Sequence, residues 1–439
     1  MDNVFGWLFC LMSFVVFWAL LPKPGRTAAV LFAGFLVLLV HHVLSFVNII
    51  YSPLIFAKYD AWGFHSFAAR LAGDTEQLEW AIGTPMYKSL LMVIYDWFGA
   101  SLWLGQSLSI LCFSISAGVL IRLMRLLEVN NMVILGGALL LYGLTPSGLF
   151  YGSITLREPW MTMFFVLGSF WAVRGVQKQA GMDVAFACGC WLLMGLFHQV
   201  MMIYGFIIAF GLVSVHCFHW WRQQPGSDSG NAVRYPVYLA IFLQVILLLA
   251  AGLALFFLLP SSGGDNYFAM IFDSIPESVA LYRGAGESSN PTTGYATTFS
   301  FVDWPNMILS VLRSYFYYMG WPVTGDYRLL STPVLMVGGL LRLVGIFSLV
   351  LFWRKKVWKG NSDFIGWFVI LGLYVSMTFL WNIGTTNHGQ ALRHHMMTDW
   401  ILIAVIAVFA QLIWCQRKTQ FTNQGVHSKE GRGFPGKEK

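Results

Sequence analysis

The chain has 439 residues, 57% of them hydrophobic and only 11% charged, with a formal net charge of +7; soluble domains carry roughly 25% charged residues. That balance excludes a soluble globular enzyme and a disordered chain. Runs such as Ala28 to Ile50 and Val237 to Leu259 contain no Asp, Glu, Lys or Arg, and each can cross a hydrocarbon core ~30 Å thick, which takes ~20 helical residues. They are continuously apolar rather than alternating, so the spans are helices and not barrel strands. The expected fold is all-α, a polytopic transmembrane helical bundle.

In chain order, about eleven spans are predicted, near residues 4–21, 27–49, 102–121, 132–149, 159–173, 184–198, 200–221, 237–259, 333–353, 364–381 and 398–416. The first follows Asp2 rather than a basic segment and has no clear cleavage site, so it is read as a span and not a signal peptide. If the loop at 22–26 is cytoplasmic, Lys23, Arg26, Arg122, Arg125, Arg174, Lys178, Arg354, Lys355 and Lys356 share the inner side with nine more of the 27 basic residues. Basic residues set orientation, which puts the N-terminus outside. The basic charge therefore signals topology and contact with anionic membrane lipids, not nucleic acid.

Residues 81–98 are apolar but contain Lys88 and Asp96, and counting them as a span would place Arg122 and Arg125 outside. They are expected to form an amphipathic helix on the outer face. The outer loops are then 51–101, 146–158, 260–332 and 382–397. Within the third, 283–298 is rich in Gly, Ser, Asn and Thr, and 306–319 forms a second amphipathic or re-entrant stretch. The module thus covers 1–416, and 417–439 is expected to be a disordered, basic cytoplasmic tail. The six cysteines lie in or beside apolar runs, so no disulfide framework is expected.

Charged groups near membrane depth are costly and mark candidate sites. They gather on the outer rim: Asp60, His65, Arg70, Asp74, Glu76 and Glu79, then Arg157 and Glu158, then His388, Arg393, His394, His395 and Asp399. No Gly-rich phosphate loop is present for a soluble nucleotide donor. Asp60 stands in a half-aromatic stretch, Tyr59 to Gly73, where apolar walls would make its carboxylate a better proton acceptor. A solvated carboxylate at the start of an interfacial helix is the alternative.

A resemblance adds to this reading. The order Asp60-x-x-x-x-His65-x-x-Ala68 to Gly73, then Gly83-Thr84-Pro85-Met86-Tyr87 to Trp97-Phe98-Gly99, resembles the first outer loop of the GT-C superfamily of glycosyltransferases. These enzymes use polyprenyl-phosphate-linked sugars, and the likeness is to the protein mannosyltransferase-like branch. Leu144-Thr145-Pro146 with Ser153 to Pro159 resembles that branch's second outer turn, and Arg393-His394-His395-Met396-Met397 resembles the entry to a late span. His65 stands where the family usually has Tyr.

The resemblance implies a GT-C-like bundle in a bacterial inner membrane with its active site outside. It makes Asp60 the catalytic acid/base, acting on an acceptor hydroxyl as the sugar leaves a lipid phosphate. The departing phosphate needs cations already in place, and Arg fits its geometry best. Arg393 is the first candidate, Arg157 the second, and Arg342, deep in an apolar run, a third that could instead snorkel. His65, Glu158, His388 and His394 complete the expected substrate-binding set, although Glu158 could equally pair with its neighbour Arg157.

The implied partners are a lipid-linked sugar donor and a glycan, lipid or protein acceptor. No cofactor is expected. A divalent ion held by His65, His198, His388, His394 and His395 stays a minor alternative, and the metalloprotease pattern His-Glu-x-x-His is missing. Two competitors remain open: an O-antigen-type polymerase or ligase, and a transporter or flippase of a lipid-linked glycan.

Overall fold

A computed structural model describes residues 4–23, 26–51, 57, 60–222, 332–354, 364–385 and 388–430, together with five positions between 309 and 319. All regular structure among these residues is helical. In chain order the helices are α1 (Val4–Leu20), α2 (Ala28–Ile50), α3 (Asp60–Leu71), α4 (Thr84–Phe98), α5 (Leu102–Leu126), α6 (Met132–Leu144), α7 (Pro146–Gly152), α8 (Glu158–Lys178), α9 (Gly181–Leu196), α10 (Gln199–Arg222), α11 (Thr332–Arg354), α12 (Phe364–Gly384), α13 (His388–His395) and α14 (Asp399–Glu430). The expected span 237–259, the stretch 283–298 and most of the loop 260–332 lie outside the described residues.

Local chemistry explains where these helices begin. Ser101 accepts a hydrogen bond from the Leu104 amide at 3.0 Å and opens α5, and the Asn131 side chain accepts from the Val133 and Ile134 amides and opens α6. Gly83 has a φ of +108°, a conformation that favours glycine, immediately before α4.

The run expected to be one span at 132–149 is broken, because α6 and α7 meet at a bend of 61°. Pro146 has no amide hydrogen for the helix ladder, and its ring clashes with the turn before it. The Thr145 hydroxyl instead caps the new helix by accepting from the Gly148 amide at 3.3 Å.

α5 is buried along most of its length and packs against α1, α2 and α8. Around this axis α8 packs on α9, α9 on α10, α2 on α6, and α14 on α6 and α11. The outward faces are apolar: Leu8, Leu11 and Val15 on α1, Phe32, Leu39 and Val43 on α2, and Leu340, Val344 and Phe347 on α11 are all exposed. Such faces aggregate in water and are ordinary against hydrocarbon.

Among the described residues, four helices are long and apolar enough to cross a membrane, α2, α5, the Gln199–Cys217 part of α10 and the Asp399–Gln416 part of α14, and the bent pair α6–α7 makes five. α1, α9 and the apolar parts of α11 and α12 are shorter. The count by length is thus below the ten expected spans that fall among the described residues, although each of those ten falls on helix.

α4 is amphipathic as expected. It buries Tyr87, Leu91 and Tyr95 at helical spacing, exposes Trp97, and places Lys88 over the Phe67 ring of α3. The expected disordered tail begins differently: α14 continues without a break to Glu430. Residues 417–430 contain no proline and only one glycine, so nothing stops the helix; residues 431–439 lie outside the described part.

Three arginines expected on the inner side lie near one another. Arg26 stands 4.1 Å over the Trp18 ring, Arg122 donates to the Leu20 carbonyl, and Arg174 pairs with Asp183 at 3.1 Å. Arg26 and Arg174 are close enough for Arg122 to feel their charge. Arg174 sits about 25 Å along α8 from Arg157, at 1.5 Å per residue.

A close helix contact against backbone supplies a test. A Cβ added at Gly205 would lie 2.5 Å from the Trp191 carbonyl oxygen, which is backbone of α9, whereas one at Gly211 meets nothing within 4 Å. Gly205→Ala should therefore lower the stability of the purified protein by about 1–3 kcal/mol, and Gly211→Ala should not. Equal melting temperatures for the two would contradict the α9–α10 packing.

Candidate functional site

Three residues far apart in sequence meet at one end of the bundle. Asp60 is the first residue of α3, Glu158 the first of α8, and Arg393 lies in the last turn of α13. Arg393 Nε stands 3.0 Å from Glu158 Oε1, and its Nη1 donates to Asp60 Oδ2. Burial alone would disfavour the Arg393 charge, but Glu158 and Asp60 together outweigh it and hold the guanidinium above its ordinary value.

The two carboxylates differ in setting. The Glu158 side chain is 2% exposed and that of Asp60 54%, with Arg393 between them at 16%. The expectation that Asp60 is walled by apolar groups is therefore corrected. Aromatic residues flank it in sequence, but Asp60 is the first residue of α3 and its side chain stays exposed at the open end, while Phe64, one turn further along, is buried.

Arg157 joins the group at 3.7 Å from Glu158 Oε1, a longer contact than the one Glu158 makes to Arg393. The adjacent pair thus exists, but Glu158 engages Arg393 more closely. The Arg157 Nη1 donates to Thr84 Oγ1 at 2.8 Å and to the Phe197 carbonyl at 3.3 Å. Since the Gly83 amide also donates to the Leu196 carbonyl at 2.8 Å, Arg157 fastens the start of α4 to the α9–α10 corner. Burial lowers its pKa, against the attraction of Glu158.

His394 lies beside this group. Its ring stacks on Trp381 at 3.8 Å, and its Nδ1 is 2.7 Å from Thr385 Oγ1. The Thr385 hydroxyl already donates to the Trp381 carbonyl at 2.6 Å, so Nδ1 of His394 is the donor in their contact. His198 meets the edge of the same Trp381 at 5.2 Å. Burial, then the charges of Arg157 and Arg393, push His198 down to about 3, so it is neutral at pH 7.

The other expected site residues are elsewhere. His65 lies on a different face of α3 from Asp60, since five residues turn a helix well past one full revolution. It joins α3 to α4 through a 3.0 Å hydrogen bond between Nδ1 and the Tyr95 hydroxyl, and burial lowers its pKa. Arg342 is buried and pairs with Asp399 at 4.0 Å; Asp399 also accepts from the Ser147 hydroxyl at 2.6 Å. His388 opens α13, and its side chain lies outside the described residues. His395 turns away from His394 and meets the Tyr318 carbonyl at 3.0 Å. Among the described residues no three His, Cys, Asp or Glu side chains gather to hold a metal ion.

Sequence reasoning placed Asp399 on the rim without assigning it a role. The signal was present, because an arginine inside an apolar run needs a carboxylate partner and Asp399 opens a neighbouring run. Trp381 and Thr385 carried no comparable signal. Comparison with protein-family models, with curated proteins and with solved structures finds no match to this chain.

The neutral His198 gives a pH test. Its folded-state pKa lies below the ordinary value near 6.5, so as pH falls from 7 the unfolded chain takes up a proton that the folded chain refuses, and stability drops. The effect is at most about 2 kcal/mol between pH 6.5 and 5. His198→Gln should make the melting temperature less dependent on pH over that window. An unchanged slope would contradict a buried, neutral His198.

Proposed function

We propose that this chain is an integral-membrane glycosyltransferase of GT-C type. It moves a sugar from a polyprenyl-phosphate-linked donor to a glycan, lipid or protein acceptor on the outer face of a bacterial inner membrane. The observation that supports this reading is the meeting of Asp60, Glu158 and Arg393. These residues belong to the three separate stretches that carry the GT-C resemblance, and nothing in their sequence spacing requires that they touch. The eleven-span topology with an outside N-terminus belongs to the same proposal. It is supported by the gathering of Arg26, Arg122 and Arg174 near the far end of α8 from Glu158.

In the reaction, the acceptor hydroxyl attacks the anomeric carbon. A glycosidic C–O bond forms, the C–O bond to the phosphate breaks, and the hydroxyl proton passes to Asp60. Negative charge grows on the leaving phosphate oxygens, and a guanidinium already oriented there lowers the barrier without reorganising. Arg393 supplies it. Arg157, with donors committed to Thr84 and Phe197, acts chiefly by shaping the wall of the site.

A transporter or flippase of a lipid-linked glycan is the second reading, favoured by polar groups inside the bundle. Besides Arg342 and Asp399, His41, His42 and the hydrogen-bonded pair Ser45–Gln106 are buried there. An O-antigen-type polymerase or ligase would use the same outer cations on a longer glycan donor.

The test is Asp60→Asn, which keeps shape but cannot accept the proton; a positioned acid/base group contributes ~100- to 10,000-fold. Glycan transfer by membranes carrying this variant should nearly vanish, while Glu76→Gln and Glu79→Gln lose little. Activity within a few-fold of the parent would remove the mechanism and favour transport. For orientation, a cysteine introduced at Glu76 should react with an impermeant thiol reagent on intact cells and one at Asn130 should not. Labelling at Asn130 would reverse the topology.

A further inference from the structure

The pairing of Asp60 with Arg393 presents a contradiction for the reading above, on which this inference rests. The residue that should take a proton and the residue that should hold a phosphate are bound to each other. The geometry resolves it through the asymmetry of the two carboxylates.

Glu158 is almost fully buried, opens a helix that packs against the central α5, and faces Arg393 through Nε. Separating that pair would leave a buried charge without a partner, which is costly. Asp60 is more than half exposed and meets Arg393 through Nη1, on the open side. An exposed ion pair contributes little, and water can replace either partner. Arg393 therefore has one fixed anion and one exchangeable anion.

Charge balance says what exchanges. Asp60, Glu158, Arg157 and Arg393 sum to zero, and three of the four are largely buried. An added anion would leave the group net negative where solvent screens poorly. If the anion replaces Asp60, neutrality is kept. The phosphate of a lipid-linked sugar is a diester with a single negative charge, the same charge as the carboxylate it would displace, and the planar guanidinium suits its oxygens.

We propose that a lipid phosphodiester displaces Asp60 from Arg393 while Glu158 stays in place, so that donor binding itself frees the Asp60 carboxylate for the acceptor. The donor then binds before the acceptor, because the carboxylate is masked until the phosphate arrives. With the carboxylate masked, the empty enzyme presents no free base to a stray hydroxyl.

The test is isotope-edited infrared difference spectroscopy on the full-length protein in lipid nanodiscs, with a polyprenyl-phosphate sugar, the singly charged phosphodiester, as the probe and no acceptor present. With aspartate labelled with 13C at its side-chain carboxyl, adding the probe should shift one carboxylate band, and that shift should be missing in Asp60→Asn. With glutamate labelled instead, no band should shift. The Kd for the polyprenyl-phosphate sugar should fall about three- to fivefold in Asp60→Asn, the scale expected from losing a half-exposed competitor. Asp60→Ser provides the same comparison if the asparagine variant does not fold.

A shifted glutamate band, an absent aspartate band, or an unchanged or weaker affinity in both variants would overturn displacement while leaving the transferase reading standing. An equal shift from inorganic phosphate at the same concentration would overturn the lipid form of the proposal. Failure of the parent protein to bind the polyprenyl-phosphate sugar at all would remove both this inference and the functional reading.

Discussion

A guanidinium taken out of water needs anions fixed around it, and the arrangement of the outer end of this bundle follows from meeting that need for Arg393. The anions come from the first residues of two helices, Asp60 of α3 and Glu158 of α8, where the unpaired amides of the first turn favour negative charge. Arg393 therefore ties α13 to elements that precede it by more than two hundred residues. Removing one partner of a buried pair costs about 3–5 kcal/mol, against at most about 1 kcal/mol for an exposed pair. On that scale Glu158 holds the end of the bundle together, and Asp60 is free to do something else.

The same device recurs in a second place. Asp399 is the first residue of α14, it faces Arg342 of α11, and Ser147 of the short helix after the Pro146 break donates to it. The break thus delivers a hydroxyl to a buried carboxylate that a continuous helix through 132–149 would have carried elsewhere. His394 and His395 divide between the two places: one stacks on Trp381 near Arg393, and the other meets the Tyr318 carbonyl near Arg342. Adjacent positions on a helix point about 100° apart, so a single turn of α13 borders both ion pairs.

Much of the helical layout was legible because apolar runs and capping residues act locally. The boundaries of α2, the amphipathic face of α4 and the acids in the first turns of α3 and α8 can all be read within a window of a few residues. The bend at Pro146 was also local, but the strong hydropathy of 132–149 concealed it. What periodicity does not report is which distant side chains share a cavity. Glu158 is adjacent to Arg157 in sequence yet engages Arg393 more closely, and Arg342 meets an aspartate that no spacing rule connects to it. His65 was grouped with Asp60 by proximity in sequence, and the pitch of α3 separated them. Tyr87, in the stretch that carries the resemblance, is fully buried against Phe64.

The claim on which the rest depends is that the Asp60–Arg393–Glu158 group performs chemistry on a lipid-linked sugar and does not merely hold one. The most direct measurement uses sealed vesicles containing the purified protein, supplied with a polyprenyl-phosphate sugar carrying a radiolabelled sugar and with candidate acceptors. The expected result is label in a new glycosidic product with an equal amount of free polyprenyl phosphate released. Label that crosses the membrane still attached to its lipid phosphate, with no free polyprenyl phosphate, would contradict it.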